Sequence, residues 1–147
     1  MKKKALIVGA AGFVGQYLIE HLQYLKLYSV FATKLPNEDI DIPNINVFDL
    51  NILNKNEISE ILNKIKPDYI FHLAAQSSVD FSWKNPNLTI DINVKGVINL
   101  LNAIRELSYS PRVLMIGSGE EYGYVKKKRY SYKRRRCSKT RKHICSF

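Results

Sequence analysis

Short apolar runs alternate with amphipathic segments along most of the chain. Five runs rich in aliphatic and aromatic residues predict β-strands at Lys4–Gly9, Tyr28–Thr33, Ile45–Phe48, Tyr69–Leu73 and Val113–Gly117. Between them, helical spacing of apolar residues predicts helices at Phe13–Leu27, Glu57–Ile65 and Asn87–Leu107. Strands that alternate with helices favour an α/β fold, in which helices cover both faces of a parallel sheet through right-handed crossovers.

The helices also carry predictions about their buried faces. In the first helix the residues that share one side, and are expected to face the sheet, are Val14, Leu18, Leu22 and Leu25. In the second helix the apolar face consists of Ile58, Ile61, Leu62 and Ile65. The polar segment Lys34–Asn44 contains two prolines, which predicts a loop.

Three glycines lie between the first predicted strand and the first predicted helix, at Gly9, Gly12 and Gly15. In this position the first glycine permits a tight turn, the second lets the backbone approach a diphosphate, and the third lets helix and strand pack closely. The N–H groups at the helix N-terminus would face the anion. The predicted binding residues are therefore Gly9, Ala11, Gly12, Phe13, Val14 and Gly15. The alternative is an ordinary tight strand–helix turn.

The end of the second predicted strand reads Ala32-Thr33-Lys34 and lacks the acidic residue that commonly holds the ribose 2′-hydroxyl of NAD. A cation at Lys34 can instead pair with the 2′-phosphate of NADP. The alternative is a solvated lysine in a loop. We therefore expect NADP as the cofactor, with NAD as the second possibility.

The net charge of +10 is distributed unevenly. Residues 126–147 hold eleven of the 23 Lys and Arg and no acidic residue, which leaves residues 1–125 with a net charge of −1. Both cysteines, Cys137 and Cys145, lie in this basic tail and match no metal-ligand spacing. No apolar run approaches the roughly 18 residues of a membrane span, and no signal peptide is evident, so we expect a cytoplasmic protein.

Several motifs in order resemble one known family. They are Gly9–Gly15, Asp49-Leu50, His72-Leu73-Ala74-Ala75-Gln76, Asn93 and Gly117-Ser118-Gly119-Glu120-Glu121-Tyr122-Gly123. Together they resemble the extended short-chain dehydrogenase/reductases, the NAD(P)-dependent epimerase/dehydratase group that acts on nucleotide-diphosphate sugars. The resemblance implies a Rossmann-like doubly wound sheet of strand order 3-2-1-4-5. It also implies NADPH-dependent reduction of GDP-4-keto-6-deoxymannose at C4, or dehydration of GDP-mannose.

The resemblance assigns cofactor contacts to several positions. Asp49, beside Leu50, would accept a hydrogen bond from the adenine amino group. The cofactor groove beside the fourth strand would be lined by Leu73, Ala74, Ala75 and Gln76. Asn93 would help to organise the active-site water and lysine, although an asparagine in a helix is more often simply solvated.

The resemblance also assigns reaction and substrate residues. Ser118 would hydrogen-bond the sugar oxygen at C4, although a serine at that place commonly caps a turn. Glu120 occupies the position of the general base in the dehydratases. Ser77 and Ser78 follow the fourth strand at the carboxyl edge, where we expect substrate contact. Full-length relatives are expected to be homodimers.

The chain departs from the family after Gly123. The expected Tyr-x-x-x-Lys helix is missing, since Tyr124 and Tyr130 come too early and lie in no apolar-patterned helix. Deleting one adenine from a run encoding residues 126–129 permits the reading KKRDIPIKEEDVVKPENIYAVS, which ends in the start of that motif. We therefore expect 1–125 to be the N-terminal part of a dinucleotide-binding domain, truncated after its fifth strand. Residues 126–147 would be an out-of-frame, disordered tail.

Two expectations follow for the chain as written. Without the tyrosine motif it should not turn over substrate. The alternative is that the basic tail evolved to bind nucleic acid or anionic lipid, since its lysines and arginines are interleaved with Tyr130 and Tyr132. Polyanion binding that needs only charge is expected in either case, whereas specific nucleic-acid binding is not.

Overall fold

A computed structural model describes residues 1–118 of the chain, which form a parallel sheet flanked by helices. The strands are β1 (Lys3–Val8), β2 (Tyr28–Lys34), β3 (Asn46–Asp49), β4 (Tyr69–His72) and β5 (Arg112–Met115). The helices are α1 (Phe13–Leu25), α2 (Lys55–Ile65), α3 (Val79–Lys84), α4 (Pro86–Ile90) and α5 (Gly96–Arg105). A π-helical segment, Asp91–Lys95, joins α4 to α5.

The sheet has the order β3-β2-β1-β4-β5, and every neighbouring pair is parallel. This confirms the predicted doubly wound α/β topology. β1 lies at the centre, where Ala5 pairs with Val30 of β2 and with Tyr69 of β4. Its last four residues are buried, as the continuous apolar run predicts for a strand covered on both faces.

Two apolar clusters fill the space on the two faces of the sheet. On one face α2 and α5 cover Leu6, Val8 and Ile70, and all four predicted apolar residues of α2 are buried there. On the other face α1 covers Ala5, Ile7 and Ala32. The predicted helical faces are therefore confirmed for α2.

The predicted face of α1 is confirmed only in part, since Leu22 is buried and Leu18 packs against the same apolar cluster, whereas Val14 and Leu25 do not face the sheet. The helix buries Gly15, Ile19 and Leu22, whereas Val14 keeps 60% and Leu25 keeps 38% of its surface exposed. The physical reason lies at the first turn, where Gly15 packs directly against the backbone of Ala10. That contact turns the helix so that its line of contact with the sheet runs through residues 15, 19 and 22.

Several boundaries also differ from the predictions. α1 ends two residues early because Lys26 adopts a left-handed conformation with φ of 55°. The long predicted helix runs from Pro86 to Arg105 with a π-helical turn in its middle. α3 was not predicted, and it begins where the Ser78 hydroxyl accepts a hydrogen bond from the Phe81 N–H at 3.3 Å.

Within residues 1–118 no helix has the length and apolar character needed to cross a bilayer. In the same residues no group of three or more His, Cys, Asp or Glu is placed to hold a metal ion. Glu120 and the basic tail lie outside the described residues.

Candidate functional site

A cleft of about 410 Å³ opens at the carboxyl edge of the sheet, beside β1 and β4. From β1 the chain crosses to β2 on one side, whereas β4 leads to β5 on the other, so the direction of winding changes between β1 and β4. Ligands of open α/β sheets bind at such a switch point. Eight predicted site residues line the cleft: Gly9, Gly12, Lys34, Leu50, Leu73, Ala74, Ala75 and Gln76.

The first and third glycines of the loop are required by the protein's own packing. Gly9 has φ of +79°, and a Cβ there would lie 2.6 Å from the backbone N and Cα of Ala74. A Cβ at Gly15 would overlap the carbonyl group of Ala10. These two positions therefore fix the turn and the close approach of α1 to the sheet, as their spacing predicts.

Gly12 differs from the other two glycines. A Cβ at Gly12 would meet only the Gly9 carbonyl oxygen, at an ordinary 3.8 Å. Gly12 is also the N-cap of α1, and no side chain caps the N–H groups there. Phe13 and Val14 keep 78% and 60% of their surfaces exposed and lie outside the cleft lining. The loop thus leaves open space in front of the uncapped N–H groups, which is the geometry that an anion requires.

Thr33 anchors the glycine loop to β2. Its hydroxyl oxygen accepts a hydrogen bond from the Gly9 N–H at 3.3 Å, and its carbonyl oxygen accepts one from the Ala10 N–H at 2.8 Å. Thr33 is 1% exposed. Sequence reasoning missed this residue, although a hydroxyl at the end of an apolar strand was a signal that it had a specific partner.

Lys34 and Asp49 form an ion pair at the cleft's β2–β3 side. The Lys34 ammonium lies 2.8 Å from the Asp49 carboxylate and also donates to the Leu35 carbonyl oxygen at 3.2 Å. The Lys34 side chain is 17% exposed and that of Asp49 is 59% exposed. Lys34 is therefore neither a freely solvated lysine nor an unpaired cation.

A turn directly after β2 brings Glu38 to the lining of the cleft. The Glu38 N–H donates to the Leu35 carbonyl oxygen at 3.0 Å, and the Glu38 carboxylate accepts from the Leu35 N–H at 2.9 Å. Pro36 and Asn37, at the centre of this four-residue segment, are residues that favour turns. Leu35 and Glu38 both line the cleft. None of the residues from Leu35 to Glu38 was among the predicted site residues.

Asn93 holds the loop that follows β4. Its side-chain oxygen accepts from the Gln76 N–H at 2.7 Å, and its side-chain NH₂ donates to the Gln76 carbonyl oxygen at 3.0 Å. Asn93 lies in the π-helical segment, a departure from α-helix that often occurs at functional sites. Both hydrogen-bonding ends of its side chain are thus used within the protein, and the solvated alternative does not apply.

The remaining predicted residues lie along the same edge. Ser78 caps α3, and its N–H donates to the Gln76 side-chain oxygen at 2.8 Å, while Ser77 is exposed. Ser118 follows β5 by three residues and is half-buried. Because Met115 pairs with His72, Ser118 is level with the loop that begins at Leu73. Glu120 cannot be placed, because it lies outside the described residues.

His72 ends β4 beneath this edge and is 5% exposed. Burial lowers the pKa of its imidazole below the usual value, and its Nδ1 has no hydrogen-bond partner among residues 1–118. The ring is therefore neutral at physiological pH, and it does not line the cleft.

The family model described as GDP-mannose 4,6 dehydratase matches residues 6–135. GDP-mannose 4,6-dehydratase of Vibrio cholerae is 32% identical over 141 residues, which cover 85% of this chain and 38% of that protein. GDP-6-deoxy-D-mannose reductase of Pseudomonas aeruginosa is 29% identical over 125 residues, with 85% and 37% covered. The chain thus spans about two fifths of the length of the curated relatives that it matches.

Among solved structures, UDP-glucose 4-epimerase of Thermus thermophilus, in complex with NAD, superposes with a TM-score of 0.84. The superposition covers 97% of this chain and 46% of the epimerase at 24% identity, which establishes the shared fold. Since the family model matches most of the residues and the fold agrees, the chain belongs to the GDP-mannose 4,6-dehydratase family of nucleotide-sugar dehydratases, reductases and epimerases.

Proposed function

We propose that the cleft binds the adenosine diphosphate half of a nicotinamide dinucleotide, either NADP(H) or NAD(H). The observation that carries the proposal is the open space at Gly12, in front of an uncapped helix N-terminus. Gly9 and Gly15 are explained by packing, but nothing in the described protein requires a glycine at position 12. A diphosphate seated against the backbone there supplies the missing reason.

The neighbouring residues are assigned by their places along the cleft. The diphosphate lies against the segment 11–14, with backbone N–H groups as donors. Leu50 and Leu73 line the groove, and the small side chains of Ala74 and Ala75 leave room for the dinucleotide beside β4. Asp49 accepts from the adenine amino group, for which its 59% exposed carboxylate is accessible. Asn93 does not line the groove but holds the backbone of Gln76, which does, through two hydrogen bonds.

For the whole protein we propose a GDP-4-keto-6-deoxymannose reductase that uses a nicotinamide dinucleotide, with GDP-mannose 4,6-dehydratase or another sugar-nucleotide epimerase as the alternative. The bound nicotinamide supplies the hydride. Ser118 donates a hydrogen bond to the sugar oxygen at C4, Glu120 contacts the sugar, and Ser77 and Ser78 border the substrate. The similarity to both a reductase and a dehydratase of GDP-linked sugars supports this proposal.

The chain as written is not expected to complete the reaction. A proton donor for the C4 oxygen must have its pKa lowered by a neighbouring cation, and the sequence around the one Tyr-x-x-x-Lys spacing in residues 124–147, Tyr124 to Lys128, lacks the apolar periodicity expected of the family's helix. Binding and turnover are therefore separable, and binding is the function to test first.

The test is a fluorescence titration of the full 147-residue chain with NADPH and NADH. Replacing Gly12 by valine should leave the fold intact, because the first added atom has only an ordinary contact, yet it places methyl groups where the diphosphate would lie. We expect at least about a tenfold loss of affinity. His21→Val adds an apolar side chain to the exposed side of the same helix and should leave affinity unchanged.

The basic tail is identical in all three proteins, so any difference between them reports on the loop. If Gly12→Val is folded and binds both dinucleotides as tightly as the parent chain, the binding arises from the tail and the proposal is wrong. Absence of saturable binding by the folded parent chain would have the same consequence.

A further inference from the structure

We propose that Glu38 is the residue that reads the adenosine ribose, and that it makes the cleft select NAD(H) over NADP(H). This inference rests on the proposed dinucleotide function. It also opposes the expectation of NADP that was drawn from Lys34 alone. The two hypotheses therefore predict opposite orders of affinity for NADH and NADPH. Glu38 lies four residues beyond β2, outside the position where an acidic residue is normally sought.

The turn from Leu35 to Glu38 fixes the position of the carboxylate. Two hydrogen bonds close this segment on itself, one from the Glu38 N–H and one to its side chain, at 3.0 and 2.9 Å. Glu38 thereby folds back to the end of β2 and lines the same cleft as Gly9 and Gly12. Its second carboxylate oxygen has no hydrogen-bond partner among residues 1–118. That oxygen can accept a hydrogen bond from a ribose hydroxyl.

The cation that would favour a 2′-phosphate is already engaged. Lys34 shares its charge with Asp49 at 2.8 Å and with the Leu35 carbonyl oxygen at 3.2 Å, and its side chain is only 17% exposed. A 2′-phosphate at Lys34 would have to displace or approach the Asp49 carboxylate. Pairing with Asp49 thus weakens the electrostatic attraction between Lys34 and a 2′-phosphate.

Lys34, its ion-pair partner Asp49 and the cleft-lining Glu38 together contribute one ammonium and two carboxylates. A phosphate monoester carries a charge of about −1.5 to −2 at neutral pH and is repelled by this group. A pair of ribose hydroxyls has no charge and donates hydrogen bonds that an ionised carboxylate accepts well. The arrangement therefore favours the ribose without the phosphate.

The experiment compares NADH with NADPH on the full chain at physiological ionic strength, with ADP-ribose and 2′-phospho-ADP-ribose as probes of the adenosine half. We expect the forms without the 2′-phosphate to bind about tenfold more tightly. Glu38→Gln keeps a side-chain oxygen for the Leu35 N–H but removes the charge, so it should reduce this preference about tenfold. Asp39→Asn removes the adjacent exposed charge, which does not line the cleft, and should leave the preference unchanged.

Three outcomes contradict the inference. They are tighter binding of NADPH than of NADH by the parent chain, an unchanged ratio in Glu38→Gln, or an equal change in Asp39→Asn. A selective loss of NADPH binding in Lys34→Gln would show that Lys34, and not Glu38, contacts this part of the dinucleotide and determines the preference. In each of these results the dinucleotides still bind and Gly12→Val still weakens them, so the proposed function stands. If nothing binds, or if Gly12→Val has no effect, the proposed function itself is wrong.

Discussion

Alanine at Gly9 and alanine at Gly12 should have opposite consequences, although the two glycines belong to one loop. At Gly9 the backbone has φ of +79°, where a residue with a Cβ is disfavoured by about 1–2 kcal/mol. The new methyl carbon would also lie 2.6 Å from the Ala74 backbone, and relieving such an overlap costs about 1–3 kcal/mol. Alanine also lowers the conformational entropy of the unfolded chain, which stabilises the folded state by about 0.4–1 kcal/mol. We expect a net loss of about 2–4 kcal/mol.

At Gly12 the same substitution should be nearly neutral for folding. Its φ of −67° and ψ of 163° are accessible to alanine, and the nearest atom would lie 3.8 Å away. Alanine is a poorer N-cap than glycine by up to about 1 kcal/mol, which the unfolded-state gain of about 0.4–1 kcal/mol offsets. The free energy of unfolding should stay within about 1 kcal/mol of the parent value, while dinucleotide affinity falls.

Urea unfolding followed by circular dichroism measures both predictions on the full chain without ligand. A small domain has about 5–15 kcal/mol of stability, so a loss of about 2–4 kcal/mol would shift the midpoint clearly. If Gly12→Ala destabilised the chain as much as Gly9→Ala, the assignment of Gly12 to a ligand rather than to packing would be refuted. A Gly9→Ala variant as stable as the parent would refute the inferred overlap with Ala74.

Three further predictions use the same measurement. Asn93→Ala should lower the free energy of unfolding by about 1–3 kcal/mol, because both backbone groups of Gln76 lose their partner, and unchanged stability would contradict this. Asp68 accepts a hydrogen bond from the Lys4 N–H, which lowers the pKa of its carboxyl group below 3.8. The ionised Asp68 therefore stabilises the folded protein fully above pH 3.8, and this stabilisation is lost as the pH falls through the lowered pKa. In Asp68→Asn the decline in stability below about pH 4 should be smaller, and an identical pH profile would contradict the assignment. Burial lowers the pKa of His72 below 6.5, so the free energy of unfolding should fall as the pH falls below 6.5. His72→Leu should make this pH dependence less steep, and an unaltered dependence would exclude His72 as its cause.

Features set by local sequence were predicted well. The spacing of Gly9 and Gly15 predicted the strand–turn–helix geometry, because a Cβ at Gly9 would overlap Ala74 and a Cβ at Gly15 would overlap Ala10. The apolar face of α2 followed from periodicity alone. The buried face of α1 did not follow from periodicity, because the contact of Gly15 with Ala10 determines how the helix is rotated against the sheet. The regular spacing of apolar residues does not take a glycine into account.

The contacts that shape the cleft depend on the register between strands, which one sequence does not show. Lys34 and Asp49 are direct partners in the β2–β3 pairing, so their side chains project to the same face and meet. Read separately, each residue suggested a contact with the cofactor. Asn93 and Gln76 are likewise 17 residues apart and meet only through tertiary structure. Such pairings could be expected only after the strand order was known.

The distribution of charge along the cleft separates binding from chemistry. The ionisable residues that line it, Lys34 and Glu38, both lie at the end next to β2 and β3. The end next to β4 is lined by the uncharged residues Leu73 to Gln76, and His72 beneath them is neutral at physiological pH because burial lowers its pKa. A group that transfers a proton to a sugar oxygen must change its ionisation state near neutral pH, and no residue lining the described part of the cleft at that end can do so. Under the proposed function, the described residues would hold and orient the dinucleotide, and we expect the proton-transferring groups to lie beyond Ser118.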